Sequence, residues 1–231
     1  MRGPFITFEG GEGSGKTTQI AKTYDYLVNA KDLCVLKTRD PGGTPICDGI
    51  RAVLLDARNK AMDPMVELLL YLASRRQLTQ ELILPMMEKG IWVLCDRYHD
   101  STWAYQVYSR LGEYEGPVPG FPTVRNYRYI EEIIQSGIEP DLTIWLDLPV
   151  ERGLDRAMAR ASALPTDQRE DRFEQKHLDF HRKLRESYTK RHHECGNRIR
   201  RVIGNGTVEQ TWELVKAELD YFMEKWMVRG V

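Results

Sequence analysis

The sequence lacks most signatures of a secreted, membrane-spanning or nucleic-acid-coating protein. It has only four cysteines, at 34, 47, 95 and 195, and no two are spaced as C-x-x-C or as a zinc pair. That scarcity predicts reduced thiols in a cytoplasmic protein, not a disulfide framework. Long apolar runs are missing too: the stretch around Leu68–Ala73 is the longest, far short of the ~20 residues that span a bilayer. No leader pattern opens the chain, because Arg2 and Pro4 run straight into an apolar segment. Neither charge is in surplus. Lys+Arg total 33 against Asp+Glu 34, a formal net charge of −1, which argues against a nucleic-acid partner held by bulk charge. Repeats and low-complexity tracts are absent. What remains is 231 residues, 42% hydrophobic and 29% charged, the composition of a folded soluble protein. The length fits one large domain over 1–231.

Short apolar runs alternate with helix-length segments. Phe5–Phe8, Cys34–Leu36, Ile91–Cys95, Leu142–Leu146 and Ile199–Ile203 read as buried strands bounded by Gly, Asp or Asn. Lys16–Asn29, Pro45–Leu55, Asp63–Glu88, Tyr127–Ser136, Pro149–Arg160 and Val208–Trp226 read as helices. The alternation predicts an α/β fold: a five-stranded parallel sheet flanked by helices on both faces. Two stretches break the rhythm. Gly112–Pro122 is rich in Gly and Pro and reads as a surface loop. Arg160–Asp171 is polar and reads as a linker or a small lid.

Gly10-Gly11-Glu12-Gly13-Ser14-Gly15-Lys16-Thr17 fits G-x-x-x-x-G-K-[ST] between a predicted strand and a predicted helix. Glycines let backbone N–H groups wrap phosphate oxygens, and the helix N-terminus adds positive potential. Lys16 supplies a point charge to the β- and γ-phosphates, and the Thr17 hydroxyl suits Mg²⁺. Thr18 continues the motif. The pattern points to a nucleoside triphosphate. A GTPase would need a base-reading N-K-x-D, which the sequence lacks, so a small-molecule kinase fits better.

The loop Thr38–Pro45 follows the second strand and falls at the same sheet edge as the phosphate loop. Arg39 there suits an anion. The third strand ends in Asp96-Arg97: an acid at a strand tip suits Mg²⁺ or its waters, and the arginine suits a phosphate.

With these motifs in order, the chain resembles the thymidylate kinases. EGGEGSGKTT (Glu9–Thr18), TRDPGGTP (Thr38–Pro45), ELLLYLASR (Glu67–Arg75), DRYHDSTWAYQ (Asp96–Gln106), PDLTIWLDLP (Pro140–Pro149) and DRFE (Asp171–Glu174) follow that family's order from about residue 3 to 220. The resemblance implies a P-loop kinase that moves a phosphoryl group from ATP to dTMP, with Mg²⁺ and as a homodimer. It implies that Arg39 and Arg97 bind the dTMP phosphate, and that Tyr71 stacks on thymine where the family commonly has Phe. Arg75 would bond the base, Ser101 and Thr102 would meet the pyrimidine edge, and Tyr105 would sit at the sugar. Gln106 would lie near the base, and Glu12 near the 3′-hydroxyl and phosphate. Asp40 stands where the family commonly has Glu. Tyr71 and Arg75 are i,i+4, so one helix face can present both. Periodicity alone would place Tyr71 in the core.

The acceptor is a phosphate monoester with a second pKa near 6, so no dedicated general base is needed. His177 and His181 are i,i+4 but lack a third ligand and read as a solvated helix face. Transition-state charge calls for an arginine. Positions 11–14 of the phosphate loop have none; the resemblance implies that a member lacking one there supplies it from a lid, here over about 156–172. Arg156 and Arg160 share a helix face and are the favoured pair; Arg169 and Arg172 are the others. A related kinase with a shifted base preference, or a catalytically silent nucleotide-binding regulator, are the alternatives.

Overall fold

The computed structural model describes residues 2–56, 58–59, 61–109, 138–163 and 178–229. Its five strands are β1 (Phe5–Glu9), β2 (Val35–Arg39), β3 (Trp92–Asp96), β4 (Leu142–Asp147) and β5 (Ile199–Ile203). They pair in the order β2-β3-β1-β4-β5, every pair parallel. β1 explains why the inner strands read as unbroken apolar runs; the edge strands β2 and β5, expected to be buried, are so only in part. All five β1 residues are buried, and they alternate between two cores. Ile6 and Phe8 pack with Ile20, Leu27, Val215 and Leu219 on one face. Phe5 packs with Cys47, Leu78 and Ile83 on the other. β1 takes β3 on one side and β4 on the other. The connections therefore diverge at its C-terminal end and open a crevice there.

The α-helices among the described residues are α1 (Lys16–Asp25), α2 (Pro45–Leu55), α3 (Pro64–Leu78), α4 (Leu84–Glu88), α5 (His99–Thr102), α6 (Val150–Ser162), α7 (Leu178–Glu194) and α8 (Val208–Arg229). Local chemistry sets their starts. Asp63 caps α3 by accepting from the Met65 N–H at 2.8 Å, with Pro64 in the first turn. Before α8, the Thr207 N–H donates to Gln210 Oε1 at 2.9 Å and the Gln210 N–H to Thr207 Oγ1 at 3.2 Å, a reciprocal capping box.

Several boundaries differ from the sequence expectation. The single helix expected over Asp63–Glu88 is divided: α3 ends at Leu78, a wider π-helical turn spans Thr79–Ile83, and α4 follows. Pro85 has no N–H to continue the ladder, and the turn before it dilates. β2 runs on to Arg39, paired with Asp96 of β3, so Thr38 and Arg39 belong to a strand and not to the loop. α5 with its π-helical continuation Trp103–Tyr108 was not expected; α7 spans the helix read around His181. His181 is a correction: it is buried on α7, 3% exposed, and not on a solvated face. His177, Tyr127–Ser136, Gly112–Pro122 and most of the lid, including Arg169 and Arg172, lie outside the described residues. All four cysteines are free thiols.

Candidate active site

The phosphate loop leaves β1 and enters α1 by backbone conformations that only glycine adopts easily. Gly13 has φ +65°, and a Cβ there would stand 2.0 Å from the Gly153 carbonyl oxygen. The loop is thus pressed backbone to backbone against the first turns of α6, with no room for a side chain. Lys16 folds back over the loop, donating to the Gly10 and Gly11 carbonyls at 3.0 Å each and reaching Ser14 Oγ at 3.4 Å. Burial, joined by the nearby Arg97, lowers its ammonium to about 8.

A cavity of about 760 Å³ opens beside the loop, within the size range of nucleotide sites. Gly13, Ser14, Gly15, Lys16, Thr17 and Thr18 line it, with Glu12. From other elements come Tyr71 and Arg75 of α3, Asp96 and Arg97 after β3, Ser101, Thr102, Tyr105 and Gln106, and Arg156 and Arg160 of α6. Residues from four separate stretches of the chain therefore meet around one space. Gly10 and Gly11 stand outside that lining, behind the loop, as the acceptors of Lys16. Arg39 is not brought to the cavity. Its guanidinium is 53% exposed and pairs with Asp48 of α2 at 3.1 Å. Arg51, one turn further along α2, lines the cavity instead and donates to the Pro41 carbonyl at 3.0 Å.

Arg97 is engaged on several sides. It donates to the Gly10 carbonyl at 3.0 Å, to Ser101 Oγ at 3.1 Å and to Glu12 Oε1 at 3.0 Å, and it lies over the Tyr105 ring. Tyr105 also donates its hydroxyl to Glu12 Oε1 at 2.6 Å. Burial alone would raise the Glu12 carboxyl; Arg97 and Lys16 outweigh it and hold the group at about 2. Behind it, burial pushes the Glu9 carboxyl up to about 7, Asp100 adding to the rise and Ser101 and Arg97 opposing it.

The α3 pair faces the cavity as its i,i+4 spacing requires. Arg75 is 1% exposed; its Nε donates to Asp40 Oδ2 at 2.7 Å and its Nη2 to the Tyr98 carbonyl at 3.2 Å and to Thr102 Oγ1 at 2.5 Å. Asp40 thus tethers Arg75 from below, although burial pushes its own carboxyl up against the arginine's pull. Gln106 donates to the buried Glu67 at 2.9 Å. Asp96 presents a different case: its Oδ1 is buried without a hydrogen-bond partner among the described residues. A carboxylate oxygen left so, with the Thr17 hydroxyl lining the same cavity, fits a divalent cation.

The sequence reading missed Arg51 and the turn after β5. Gly204, Gly206, Thr207, Val208 and Thr211 line the cavity on the side of α1 and α8. The signal was available, since this Gly-rich turn leaves the C-terminal edge of the last strand, where ligands of open α/β sheets bind.

The sequence pattern of the thymidylate kinase family matches residues 8–214. The chain is similar to the thymidylate kinase of Geotalea daltonii, 46% identical over 209 residues that cover 90% of this chain and 92% of the relative. It is 47% identical over 188 residues to that of Trichlorobacter lovleyi, covering 80% and 81%. To that of Geobacter sulfurreducens it is 44% identical over 209 residues, covering 90% and 92%.

Proposed function

The chain belongs to the thymidylate kinase family, and from that premise we propose that it transfers the γ-phosphoryl group of ATP to dTMP, giving dTDP and ADP. The observation that carries the reading is the meeting of the phosphate loop, Arg97, the Tyr71–Arg75 face and the α6 arginines around one cavity. Lys16 and the loop amides hold the donor phosphates, and the turn Gly204–Val208 offers the remaining wall to the rest of the donor. Arg97 and Arg51 hold the acceptor phosphate, Arg51 in the place first given to Arg39. Tyr71 stacks on the base, Arg75 donates to its 4-carbonyl, and Ser101, Thr102 and Gln106 complete the base wall. Glu12 and Tyr105 sit at the sugar.

The acceptor phosphate is mostly dianionic at pH 7 and attacks without a general base. The protein's task is to bring two anions together and spread the charge of the transferring group. Thr17 and Asp96 would hold Mg²⁺. That ion, when bound, supplies charge neutralisation between the phosphates. Arg156 and Arg160 reach the transferring phosphoryl group from α6, taking the role that an arginine in the phosphate loop would otherwise fill.

We further infer one P-loop kinase domain, a cytoplasmic location and a homodimer. Supporting these are the free thiols, the lack among the described residues of any helix long and apolar enough to cross a membrane, and exposed Ile46, Val53, Val66 and Leu69 on the packed helices α2 and α3. The test is a coupled assay for ADP with ATP and each of dTMP, dUMP, dCMP and dGMP. Turnover with dTMP above the other three is expected. ADP formation that ignores dTMP would overturn the reading, and equal turnover of dCMP would shift it to a broader pyrimidine kinase.

A further inference from the structure

Arg97 adopts φ +67°, a left-handed backbone conformation that residues with side chains seldom take. The next residue shows what holds it. The Tyr98 N–H donates to Glu9 Oε1 at 2.8 Å. The other oxygen, Oε2, accepts the Ser101 hydroxyl at 2.5 Å and the Tyr188 hydroxyl at 2.9 Å. Ser101 Oγ in turn accepts from Arg97 Nη1 at 3.1 Å and lies 3.0 Å from the Tyr188 hydroxyl. Glu9, Tyr98 and Tyr188 are at most 2% exposed. Glu9 itself does not line the cavity, so whatever it does there it does through these neighbours.

We propose that Glu9, with Tyr188, is a positioning residue that locks the Arg97 turn and Ser101 into the pose that receives the acceptor phosphate. The proposal rests on the reading of Arg97 as a ligand of that phosphate. Two carboxylate oxygens are needed because three donors converge: one backbone amide and two hydroxyls. The carboxylate leaves the end of β1, the amide directly precedes α5, the serine lies within α5, and the tyrosine comes from α7. One buried acceptor therefore joins the sheet, the phosphate-binding turn and the helix that follows the lid in the chain. Alanine at position 9 would strand three buried donors and free the turn to relax to an ordinary conformation. Glutamine keeps a carbonyl for the Tyr98 N–H, and its amide can donate to the two hydroxyls, which accept as readily as they give.

The experiment is calorimetric titration of dTMP and of thymidine, which has no phosphate, into wild type, Glu9→Ala, Glu9→Gln, Tyr188→Phe and Arg97→Ala. Expected for Glu9→Ala is a dTMP affinity at least about thirtyfold weaker with thymidine affinity within about threefold. Tyr188→Phe should weaken dTMP about three- to tenfold, again sparing thymidine, and Glu9→Gln should stay near wild type for both. A purely structural role would lower both ligands together or neither, and either pattern overturns the proposal. Should Glu9→Ala fail to fold, by circular dichroism, Tyr188→Phe decides on the same ratio. Arg97→Ala with unaltered dTMP affinity would sink the underlying reading of Arg97. Arg97→Ala impaired beside wild-type affinity in Glu9→Ala and Tyr188→Phe would sink the positioning role alone.

Discussion

Arg97 and the α6 arginines carry the same charge into the same cavity at different exposure. Arg97 is 18% exposed in its side chain, bonded to Gly10, Ser101 and Glu12 and fixed by a turn that its neighbours hold. Arg156 and Arg160 stand exposed on α6 and line the same cavity. A cation whose place is prepared before the ligand arrives loses little freedom on binding and favours ground-state affinity. An exposed, long side chain must be ordered during the reaction, so its contribution falls on the step that orders it. On the proposed reading, the molecule separates holding the acceptor from stabilising the transferring phosphoryl group. Gly153 ties the two, because its backbone contact with the phosphate loop sets how closely α6 approaches.

The sharpest break of that contrast is Arg97→Ala. It removes a half-buried, charge-assisted contact, and dTMP kcat/KM should fall by about 2–4 kcal/mol of transition-state stabilisation. Steady-state kinetics with an unchanged dTMP kcat/KM would deny Arg97 its role. Next in size is a stability effect behind the same turn. The folded Glu9 carboxyl sits at about 7 instead of 4.5, so the folded state binds this proton more tightly than the unfolded one. The carboxyl's contribution is therefore intact below about 4.5 and declines as pH rises through 7. Glu9→Gln should remove that decline, gaining on wild type by roughly 3 kcal/mol between pH 4 and 8. Denaturant melts at the two pH values check it; parallel changes in both proteins contradict it.

The prepared half should also discriminate bases. Cytosine sets an amino donor where thymine sets a carbonyl, so Arg75 would meet it donor against donor. dUMP, differing by a methyl worth about 1–3 kcal/mol, should be a poorer but real substrate, and dCMP far worse. Arg75→Ala should narrow the dTMP-to-dCMP ratio chiefly by losing dTMP, whereas Tyr71→Ala should harm all pyrimidines alike. The ratio is the readout, because Arg75→Ala also leaves Asp40 buried without its arginine and lowers the folded fraction. Smallest is the difference between Arg39 of β2 and Arg51 of α2. Arg51→Ala should weaken dTMP use about tenfold; Arg39→Ala, which breaks an exposed pair with Asp48 worth at most about 1 kcal/mol, should stay within about twofold. The reverse ranking would restore Arg39 to the phosphate.

How much of this was legible in the sequence follows from how local each determinant is. The five strands, the phosphate loop and the i,i+4 pair Tyr71–Arg75 are set by short-range patterns, and the structure has them in place. Arg39 and Arg51 show where locality ends. Nothing nearby tells which of two arginines points inward; the extension of β2 and the pull of Asp48 decide it. The burial of His181, and Glu9 as an acceptor for α7, depend on elements far apart in the chain. Tyr188 reaches Glu9 across 179 positions of sequence, and no window of residues carries that signal. The break before Pro85 was readable from the proline; the apolar pattern that continues through it hid the change of helix.

The division between Arg97 and the α6 arginines is tested most directly by kcat and dTMP KM, at saturating ATP, for Arg97→Ala and for the double variant Arg156→Ala/Arg160→Ala. Arg97→Ala should raise the dTMP KM strongly. The double variant should lower kcat and kcat/KM together, by about tenfold or more, with dTMP KM little changed. A double variant that keeps wild-type kcat, or one that raises the dTMP KM as Arg97→Ala does, would contradict the account.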